Sequence, residues 1–355
     1  MNLVMISAGG TGGHIYPALA VADLLKEEQI RTVFVGSSDR LEGQLIPEHG
    51  YEFVPIQIPS TSGSILGKVK YVLSMGREIA SCRKLLKRYQ PDACIGFGNY
   101  ISVPLILAAK QLGIPTMISE QNSFAGKANV FLGRFADAVE LAYEGSAKDF
   151  PSAKTRVLGN PRAQVIAQMN ADESLISAYG LDNTKPFVAV MMGSLGSETM
   201  SKIIDEAYQD VTEYQVLIAS GKHNNYQFHT DNANVIVREY ISGADILKLC
   251  DLAVCRAGAT TLAEIGAAGT PSILVPSPYV PNNHQYFNAL ELETHGAAVI
   301  LEETALTASL LREVTDRLMN DAALRIRMSS HASEYAHPRA GSELISWLKE
   351  LVHEG

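Results

Sequence analysis

The length, composition and charge of the chain describe a folded protein of two domains. Its 355 residues exceed the usual size of one domain, and 46% hydrophobic against 19% charged residues excludes a disordered chain. The net charge is −9. We expect no nucleic-acid partner. No signal peptide is evident, and the longest apolar stretch, residues 101–109, is too short to span a bilayer, so we expect a cytosolic protein.

Strand-like and helical segments alternate along the chain. In the first half, LVMIS, TVFVG, ACIGF and PTMIS predict strands, with helices over residues 17–28 and 77–89 among them. The alternation restarts at residue 186 with PFVAVMM and continues through YQVLIAS, NVIVREYI, LAVCRAG and PSILVPSP. Strands that alternate with helices form parallel sheets covered on both faces, so this order predicts two doubly wound α/β domains.

We place the boundary between the domains where Gly, Asn and Pro interrupt the pattern, in VLGNPR. The predicted N-terminal domain covers residues 1–158 and the predicted C-terminal domain covers residues 159–337. A last helix, over about residues 338–355, follows the break HPRAG. Ligands of open α/β sheets bind beyond the carboxyl ends of the strands, so the cleft between two such domains is the expected site.

The first predicted strand runs into a turn with four glycines, GGTGGH at residues 9–14. The turn does not match a dinucleotide fingerprint, because the third glycine would fall on Ile15, and it lacks the lysine of a P-loop. Its main-chain N–H groups and the following helix N-terminus are suited to a diphosphate. His14, at the mouth of the turn, could accept a proton from a hydroxyl or donate a hydrogen bond to phosphate, and the sequence leaves both roles open.

The second half carries three further candidate features. Residues 193–197 form another Gly-rich turn, and CRAGATTLAE places a helix start after a buried strand, with Glu264 inside the helix. Glu264 can reach a ribose diol only if it faces the cleft. The amides of residues 281–289 suit sugar hydroxyls, because amides both donate and accept hydrogen bonds.

Neither a metal nor another cofactor is expected. The chain contains no Asp-x-Asp pair, and its four cysteines form no CxxC pair, which favours small buried hydrophobes over metal ligands. Backbone dipoles and helix ends would then stabilise a departing diphosphate.

Basic and apolar residues are interleaved over residues 65–88, which carry seven Lys or Arg against the single acid Glu78. This segment contributes much of the positive charge of residues 1–158, where 16 basic residues face 14 acidic ones, whereas the remainder carries 13 against 24. A solvated helix face and a surface that meets acidic lipids both fit this pattern.

Seven motifs together resemble one family of enzymes. GGTGGHxxPALAVA, GFGNYIS, SEQN, GNPR, GSLGS, CRAGATTLAE and NHQYFNA occur in the order seen in the MurG family, over essentially the whole chain. The resemblance implies the GT-B fold, with two Rossmann-like domains facing a central cleft. It also implies inverting transfer of N-acetylglucosamine from UDP-GlcNAc to the muramoyl 4-hydroxyl of undecaprenyl-pyrophosphoryl-MurNAc-pentapeptide (lipid I), which gives lipid II in peptidoglycan synthesis.

The resemblance also implies site residues and partners. His14 and Tyr100 match residues placed near the acceptor and are the catalytic candidates. Residues 65–88 lie where the family is thought to meet the anionic cytoplasmic face of the cell membrane, and cell-wall or division proteins are candidate partners. Ser119 stands where some relatives have a histidine, so no base is available there. The positions that match the UDP-GlcNAc site are Thr11, Gly12, Gly13, Asn122, Arg162, Ser194, Ile241, Ala259, Thr260, Thr261, Leu262, Ala263, Glu264 and Gln285.

Three other functions fit parts of the same sequence. A UDP-GlcNAc 2-epimerase of related fold would bind the same donor and need no lipid-facing surface. A transferase of the same fold could act on diacylglycerol, and a regulatory subunit could bind a UDP-sugar without turnover. Product analysis with and without lipid I distinguishes all of them.

Overall fold

The computed structural model describes residues 1–57, 65–193, 197–221, 224–229 and 231–354, with the backbone alone for residues 65–70. The chain forms two compact units, one of Met1–Gln164 with Arg339–Gly355 and the other of Val165–Pro338. The division falls inside a short helix that begins at Arg162, just after the boundary predicted from the sequence.

The first unit is built on a seven-stranded parallel sheet. Its strands are β1 (Leu3–Ser7), β2 (Arg31–Gly36), β3 (Glu52–Pro55), β4 (Ala93–Gly96), β5 (Thr116–Glu120), β6 (Ala138–Leu141) and β7 (Thr155–Val157), in the order β3-β2-β1-β4-β5-β6-β7. The helices that accompany them are α1 (Gly12–Glu27), α2 (Leu41–Glu48), α3 (Ile65–Tyr89), α4 (Ser102–Gln111) and α5 (Lys127–Leu132). Helix α6 (Arg162–Gln168) follows them and contains the division between the two units.

The central strand β1 shows why this sheet forms. All five of its residues are buried, because helices cover both faces of the sheet. Val4 and Ile6 point to one face and pack in the same core as Leu19 of α1. Leu3 and Met5 point to the other face and share a core with residues of α3 and α4. A continuous apolar run therefore serves two cores at once.

The second unit repeats this plan with six parallel strands. They are β8 (Phe187–Met191), β9 (Gln215–Ala219), β10 (Val235–Arg238), β11 (Leu252–Cys255), β12 (Ser272–Leu274) and β13 (Ala298–Ile300), in the order β10-β9-β8-β11-β12-β13. Its helices are α7 (Ser174–Tyr179), α8 (Glu198–Tyr208), α9 (Gly243–Ile246), α10 (Ala259–Ala268), α11 (His284–Thr294), α12 (Ala308–Asn320) and α13 (Ala322–Tyr335). The prediction of two doubly wound parallel-sheet domains is confirmed.

The last helix, α14 (Ala340–Glu354), belongs to the first unit and packs against α1. Leu344, Trp347 and Leu348 are buried in the core that also holds residues of α1. Gly341 permits the close approach of the two helices, because a Cβ at this position would lie 2.4 Å from Leu24 Cδ1. Arg156 stacks over the indole of Trp347, with its Cζ 4.4 Å from the ring centroid.

Candidate functional site

Each sheet has one position where the strand order reverses, and several of the predicted site residues follow the strands at that position. In the first unit the reversal lies between β1 and β4, and in the second unit between β8 and β11. The chain leaves the two strands of such a pair towards opposite faces, which opens a crevice at their carboxyl ends. The loops that follow these strands are therefore the candidate binding elements of each unit.

The first two glycines of the turn after β1 accommodate side chains of the protein itself. The Gly10 N–H donates to Glu42 Oε2 at 2.9 Å, and Asn99 Nδ2 donates to the Gly9 carbonyl at 3.4 Å. A Cβ at Gly9 would lie 2.4 Å from Glu42 Cδ, and one at Gly10, where φ is +87°, would lie 2.2 Å from Asn99 Nδ2. Sequence reasoning missed both partners, because they lie far from the turn along the chain.

The other glycines of this turn begin helix α1, beside His14. Thr11 precedes the helix, and its Oγ1 lies 3.2 Å from His14 Nδ1 instead of capping the helix end. A Cβ at Gly98, in the loop after β4, would lie 2.9 Å from His14 Cδ2 and 3.1 Å from its Nε2. The half-buried imidazole is therefore held between the helix start and that loop.

Tyr100 lies in the same loop after β4. Its N–H donates to Asn99 Oδ1 at 2.7 Å, and Asn99 has a left-handed backbone with φ of +60°. The guanidinium of Arg40 lies over the phenol ring, with Cζ 5.3 Å from the centroid. The structure thus brings both catalytic candidates, His14 and Tyr100, to the same edge of the first unit.

A buried carboxylate, Glu120, organises the loop after β5. It is 2% exposed and accepts hydrogen bonds from the Asn122 N–H at 3.0 Å, Asn122 Nδ2 at 3.2 Å, the Gly126 N–H at 2.9 Å and Asn129 Nδ2 at 2.9 Å. Four donors on one carboxylate fix the backbone of this loop. Asn122, a predicted donor-site residue, is therefore held in place by Glu120, a contact the sequence pattern did not indicate.

A second buried acid, Glu140, lies on β6 beside this loop. The Ser119 hydroxyl donates to Glu140 Oε2, and Gln121 Nε2 donates to Ser119 Oγ. The pKa of Glu140 is raised to about 8, chiefly by burial; the Ser119 hydrogen bond opposes this rise and the charge of Glu120 adds to it. Glu140 is therefore mostly a neutral acid at pH 7.

Arg162 begins α6 and belongs to the first unit. Its N–H donates to Asn160 Oδ1 at 2.9 Å, and its guanidinium lies over the ring of Tyr16, with Cζ 5.8 Å from the centroid. Tyr16 is on α1, two residues after His14. The structure thus places Arg162 near the start of α1.

In the second unit, α10 begins at Ala259, directly after Gly258. Glu264 consequently lies in the second turn of the helix. Thr260, Thr261, Ala263 and Glu264 are partly exposed, whereas Ala259 and Leu262 are buried. Positions 260, 261 and 264 lie on one side of a helix, so this face can meet a ligand. The side chain of Leu262 belongs to the core, and only its main chain lies near the helix start.

Helix α11 is tied to the loops after β11 and β12 by two amides. Gln285 Oε1 accepts the Ser277 N–H at 2.9 Å, and Asn288 Nδ2 donates to the Ala257 carbonyl at 3.3 Å. These contacts bring Gln285 towards the loop that leads into α10. Asn282 and Asn283, which precede the helix, both have left-handed backbones, with φ of +56° and +51°.

Two further predicted site residues belong to the second unit, Ile241 and Ser194. Ile241 is 5% exposed and lies between β10 and α9. Ser194 lies outside the described residues, which resume at Ser197 after Gly193. Gly193 has φ of +97°, so the turn after β8 starts with a conformation that favours glycine.

Helix α3 carries the basic segment, and its exposed face is both basic and apolar. Val72 and Leu73 are 67% and 62% exposed. The exposed basic side chains are Arg77, Arg83, Lys84, Lys87 and Arg88. The side chains of Lys68 and Lys70 lie outside the described residues. In the part of the chain that the structure describes, none of the helices is both long and apolar enough to cross a membrane.

Among the described residues, no cluster of three or more His, Cys, Asp or Glu side chains is placed to hold a metal ion. All four cysteines are buried free thiols. Burial raises the pKa of Cys82 and of Cys255 to about 12, so neither is a thiolate at neutral pH.

The chain matches family models and curated proteins over nearly its whole length. Residues 4–140 match the glycosyltransferase family 28 N-terminal domain, and residues 187–344 match the glycosyltransferase family 28 C-terminal domain. A curated relative from Limosilactobacillus fermentum is 38% identical over 361 residues, which cover 98% of each chain. It is named UDP-N-acetylglucosamine--N-acetylmuramyl-(pentapeptide) pyrophosphoryl-undecaprenol N-acetylglucosamine transferase.

Solved structures give the same result. The crystal structure of Acinetobacter baumannii MurG is similar with a TM-score of 0.79 and 26% identity, over 99% of this chain and 100% of that chain. A UDP-N-acetylglucosamine 2-epimerase structure from Listeria monocytogenes has a TM-score of 0.73 over 99% and 97% of the two chains, but at 14% identity this likeness is one of fold alone. The chain therefore belongs to glycosyltransferase family 28 and, within it, to the MurG family.

Proposed function

We propose that this protein transfers N-acetylglucosamine from UDP-GlcNAc to the muramoyl 4-hydroxyl of lipid I, forming lipid II for peptidoglycan, with inversion at the anomeric carbon. The observation that carries the proposal is the full-length identity of 38% to a transferase named for this reaction. It is supported by the predicted residues that follow β1, β4 and β11, because these strands lie at the switch points of the two sheets.

The two units take different parts of the reaction. On the second unit, the exposed face of α10 takes the uridine and ribose, with Glu264 on the ribose hydroxyls. Gln285 contacts the sugar, and Ser194, which lies outside the described residues, is the donor-site candidate from the Gly-rich sequence of residues 193–197. The first unit takes the acceptor beside His14 and Tyr100, and it also carries the donor-site candidates Thr11, Gly12, Gly13, Asn122 and Arg162. Main-chain N–H groups and helix N-termini stabilise the charge on the leaving diphosphate, without a metal ion.

The transfer is a single displacement. The acceptor oxygen forms a bond to the anomeric carbon while the bond from that carbon to the diphosphate oxygen breaks, and UDP leaves with the electron pair. The acceptor proton passes to His14 Nε2. For this role Nδ1 carries the other proton and donates it in a hydrogen bond to Thr11 Oγ1, 3.2 Å away. Inversion follows, because the acceptor attacks from the face opposite the leaving group.

Product analysis with UDP-GlcNAc, with and without a lipid I analogue, tests this function. We expect a disaccharide product and UDP only when the analogue is present. An epimer formed without acceptor would indicate the 2-epimerase, and a product formed only with diacylglycerol would indicate the lipid transferase. Binding of UDP-GlcNAc without any product would indicate a regulatory subunit.

In the same assay, His14→Ala is expected to lower kcat by about 100-fold, because general base catalysis is lost. The matched control is His49→Ala, an exposed histidine of the same unit, and near-normal turnover in His14→Ala would reject a catalytic role.

We also propose that the exposed face of α3 binds the cytoplasmic face of the cell membrane, where proteins of the cell-wall or division complexes would meet the enzyme. Each basic residue near acidic lipid contributes about 1 kcal/mol. Replacing Lys84, Lys87 and Arg88 with Gln is therefore expected to weaken sedimentation with anionic vesicles by about 100-fold at low salt.

The matched control replaces three exposed basic residues of the second unit, Lys185, Lys202 and Arg327, with Gln. We expect this control to sediment like the wild type, and neither protein to sediment with neutral vesicles. Equal loss of binding in both triple variants would show that net charge alone attracts the protein, and would contradict the assignment to α3.

A further inference from the structure

Glu42 is a buried carboxylate for which the proposed reaction has no role. Its residue is 0% exposed. One carboxylate oxygen, Oε2, accepts the Gly10 N–H at 2.9 Å, and the other, Oε1, accepts the Ser37 N–H at 3.2 Å. Gly10 follows β1, Ser37 follows β2, and Glu42 itself lies on α2. One side chain from α2 thus ties together the ends of two neighbouring strands.

The glycines around Glu42 make room for its carboxylate. A Cβ at Gly9 would lie 2.4 Å from both Cδ and Oε1 of Glu42, and a Cβ at Gly36 would lie 3.0 Å from its Cγ. The first distance is far shorter than a van der Waals contact, so no larger residue fits at Gly9 without displacing the acid. Gly9 is therefore adapted to an internal anion, and not to a bound ligand.

The charge of Glu42 divides the Gly-rich turn into two parts. The Gly10 N–H already donates to a carboxylate, and a phosphate oxygen at this position would be repelled by the same charge in a buried environment. Gly12 and Gly13 lie at the start of α1, where the helix dipole favours an anion. A Cβ at Gly13 would lie 3.6 Å from Thr11 Oγ1, an ordinary contact, and one at Gly12 would lie 3.1 Å from Tyr16 Cε2. Among the described neighbours of these two glycines there is no carboxylate such as the one beside Gly9 and Gly10.

We propose that Glu42 is a positioning residue that determines where a diphosphate binds on the first unit. Its carboxylate holds Gly9 and Gly10 in place and excludes phosphate from them, which confines a diphosphate to the first turn of α1, beside His14. This inference rests on the proposed function, in which both substrates carry a diphosphate.

The test is an NMR titration of the full chain, isotope-labelled at the glycine nitrogens, with inorganic diphosphate. It records the backbone amide signals of Gly10, Gly12 and Gly13. In the wild type we expect the Gly12 and Gly13 signals to shift and the Gly10 signal to stay in place. In Glu42→Gln the Gly10 signal is expected to shift as well, and the dissociation constant is expected to fall by about fivefold or more, because the repelling charge is gone. Glu48→Gln, an exposed acid on the same helix, has the same change in net charge and is expected to behave like the wild type.

Three results would overturn the proposal: a Gly10 shift in the wild type, no shift of Gly12 and Gly13 in any protein, or equal dissociation constants in the wild type and Glu42→Gln. A merely structural role of Glu42 would lower Tm and leave diphosphate affinity unchanged. If Glu42→Gln does not fold, Glu42→Asp retains the charge on a shorter side chain. In Glu42→Asp the Gly10 amide proton is expected to exchange faster with solvent, while diphosphate still shifts only the Gly12 and Gly13 signals. Diphosphate binding needs no turnover, so a failure of the transfer assay leaves this test intact.

Discussion

Glu140→Gln is expected to make the protein more stable at pH 7, by up to about 3 kcal/mol. The pKa of this buried acid is raised from an ordinary value of 4.5 to about 8. Between these two pH values the folded protein keeps the proton and the unfolded chain releases it. The stability that the protonated acid contributes is therefore complete below pH 4.5 and is lost as the pH rises to about 8. A glutamine has no proton to lose, and it can remain hydrogen-bonded to Ser119.

Urea unfolding of the wild type and Glu140→Gln over the range from pH 5 to pH 8 measures this effect. We expect the two free energies of unfolding to diverge steadily as the pH rises. Glu144→Gln is the matched control, because Glu144 is an exposed acid of the same unit, and its pH dependence should follow the wild type. Parallel curves for the wild type and Glu140→Gln would show that Glu140 does not hold its proton in the folded protein.

Glu120→Gln is expected to have the opposite effect, a loss of about 3 kcal/mol or more in the free energy of unfolding. The carboxylate accepts four hydrogen bonds, three from the loop after β5 and one from Asn129 on α5. An amide retains one acceptor oxygen and turns an NH₂ group towards donors that are buried. Each lost charge-assisted hydrogen bond contributes about 1.5–3 kcal/mol, and the orphaned donors add a desolvation cost.

The same substitution tests the coupling of this loop to the site. In this variant Asn122 loses the carboxylate that accepts its main-chain N–H and its side-chain Nδ2. Its side chain is then less well positioned, so we expect kcat/KM for UDP-GlcNAc to fall by about 100-fold. The charge of Glu120 also raises the pKa of Glu140, so Glu120→Gln is expected to lower that pKa and narrow the pH range over which stability declines. Glu144→Gln again serves as the control, and a variant as stable and active as the wild type would contradict the assignment of Glu120.

The strands and the turns that follow them could be predicted from the sequence because their signals are local. LVMIS and PFVAVMM are continuous apolar runs, and such runs occur where helices cover both faces of a parallel sheet. Each is followed by glycines in the sequence, and Gly10 and Gly193 have a positive φ. These features indicated the two doubly wound units and the position of the Gly-rich turn after β1 without any tertiary information.

The amino-acid sequence by itself therefore determined the fold class and most of the strands, although it did not indicate β3, β6, β7 or β13. It also indicated the loops that carry the candidate site residues. Only the tertiary structure decided what holds those loops. The Gly10 and Glu42 pair is separated by 32 residues, the Gly9 and Asn99 pair by 90, and the Ser119 and Glu140 pair by 21. A repeating hydrophobic pattern reports which face of an element is buried, but it does not report which buried polar groups meet. Those pairs arise only when the carboxyl ends of neighbouring strands are brought together, and each buried polar group must then find its hydrogen-bond partner.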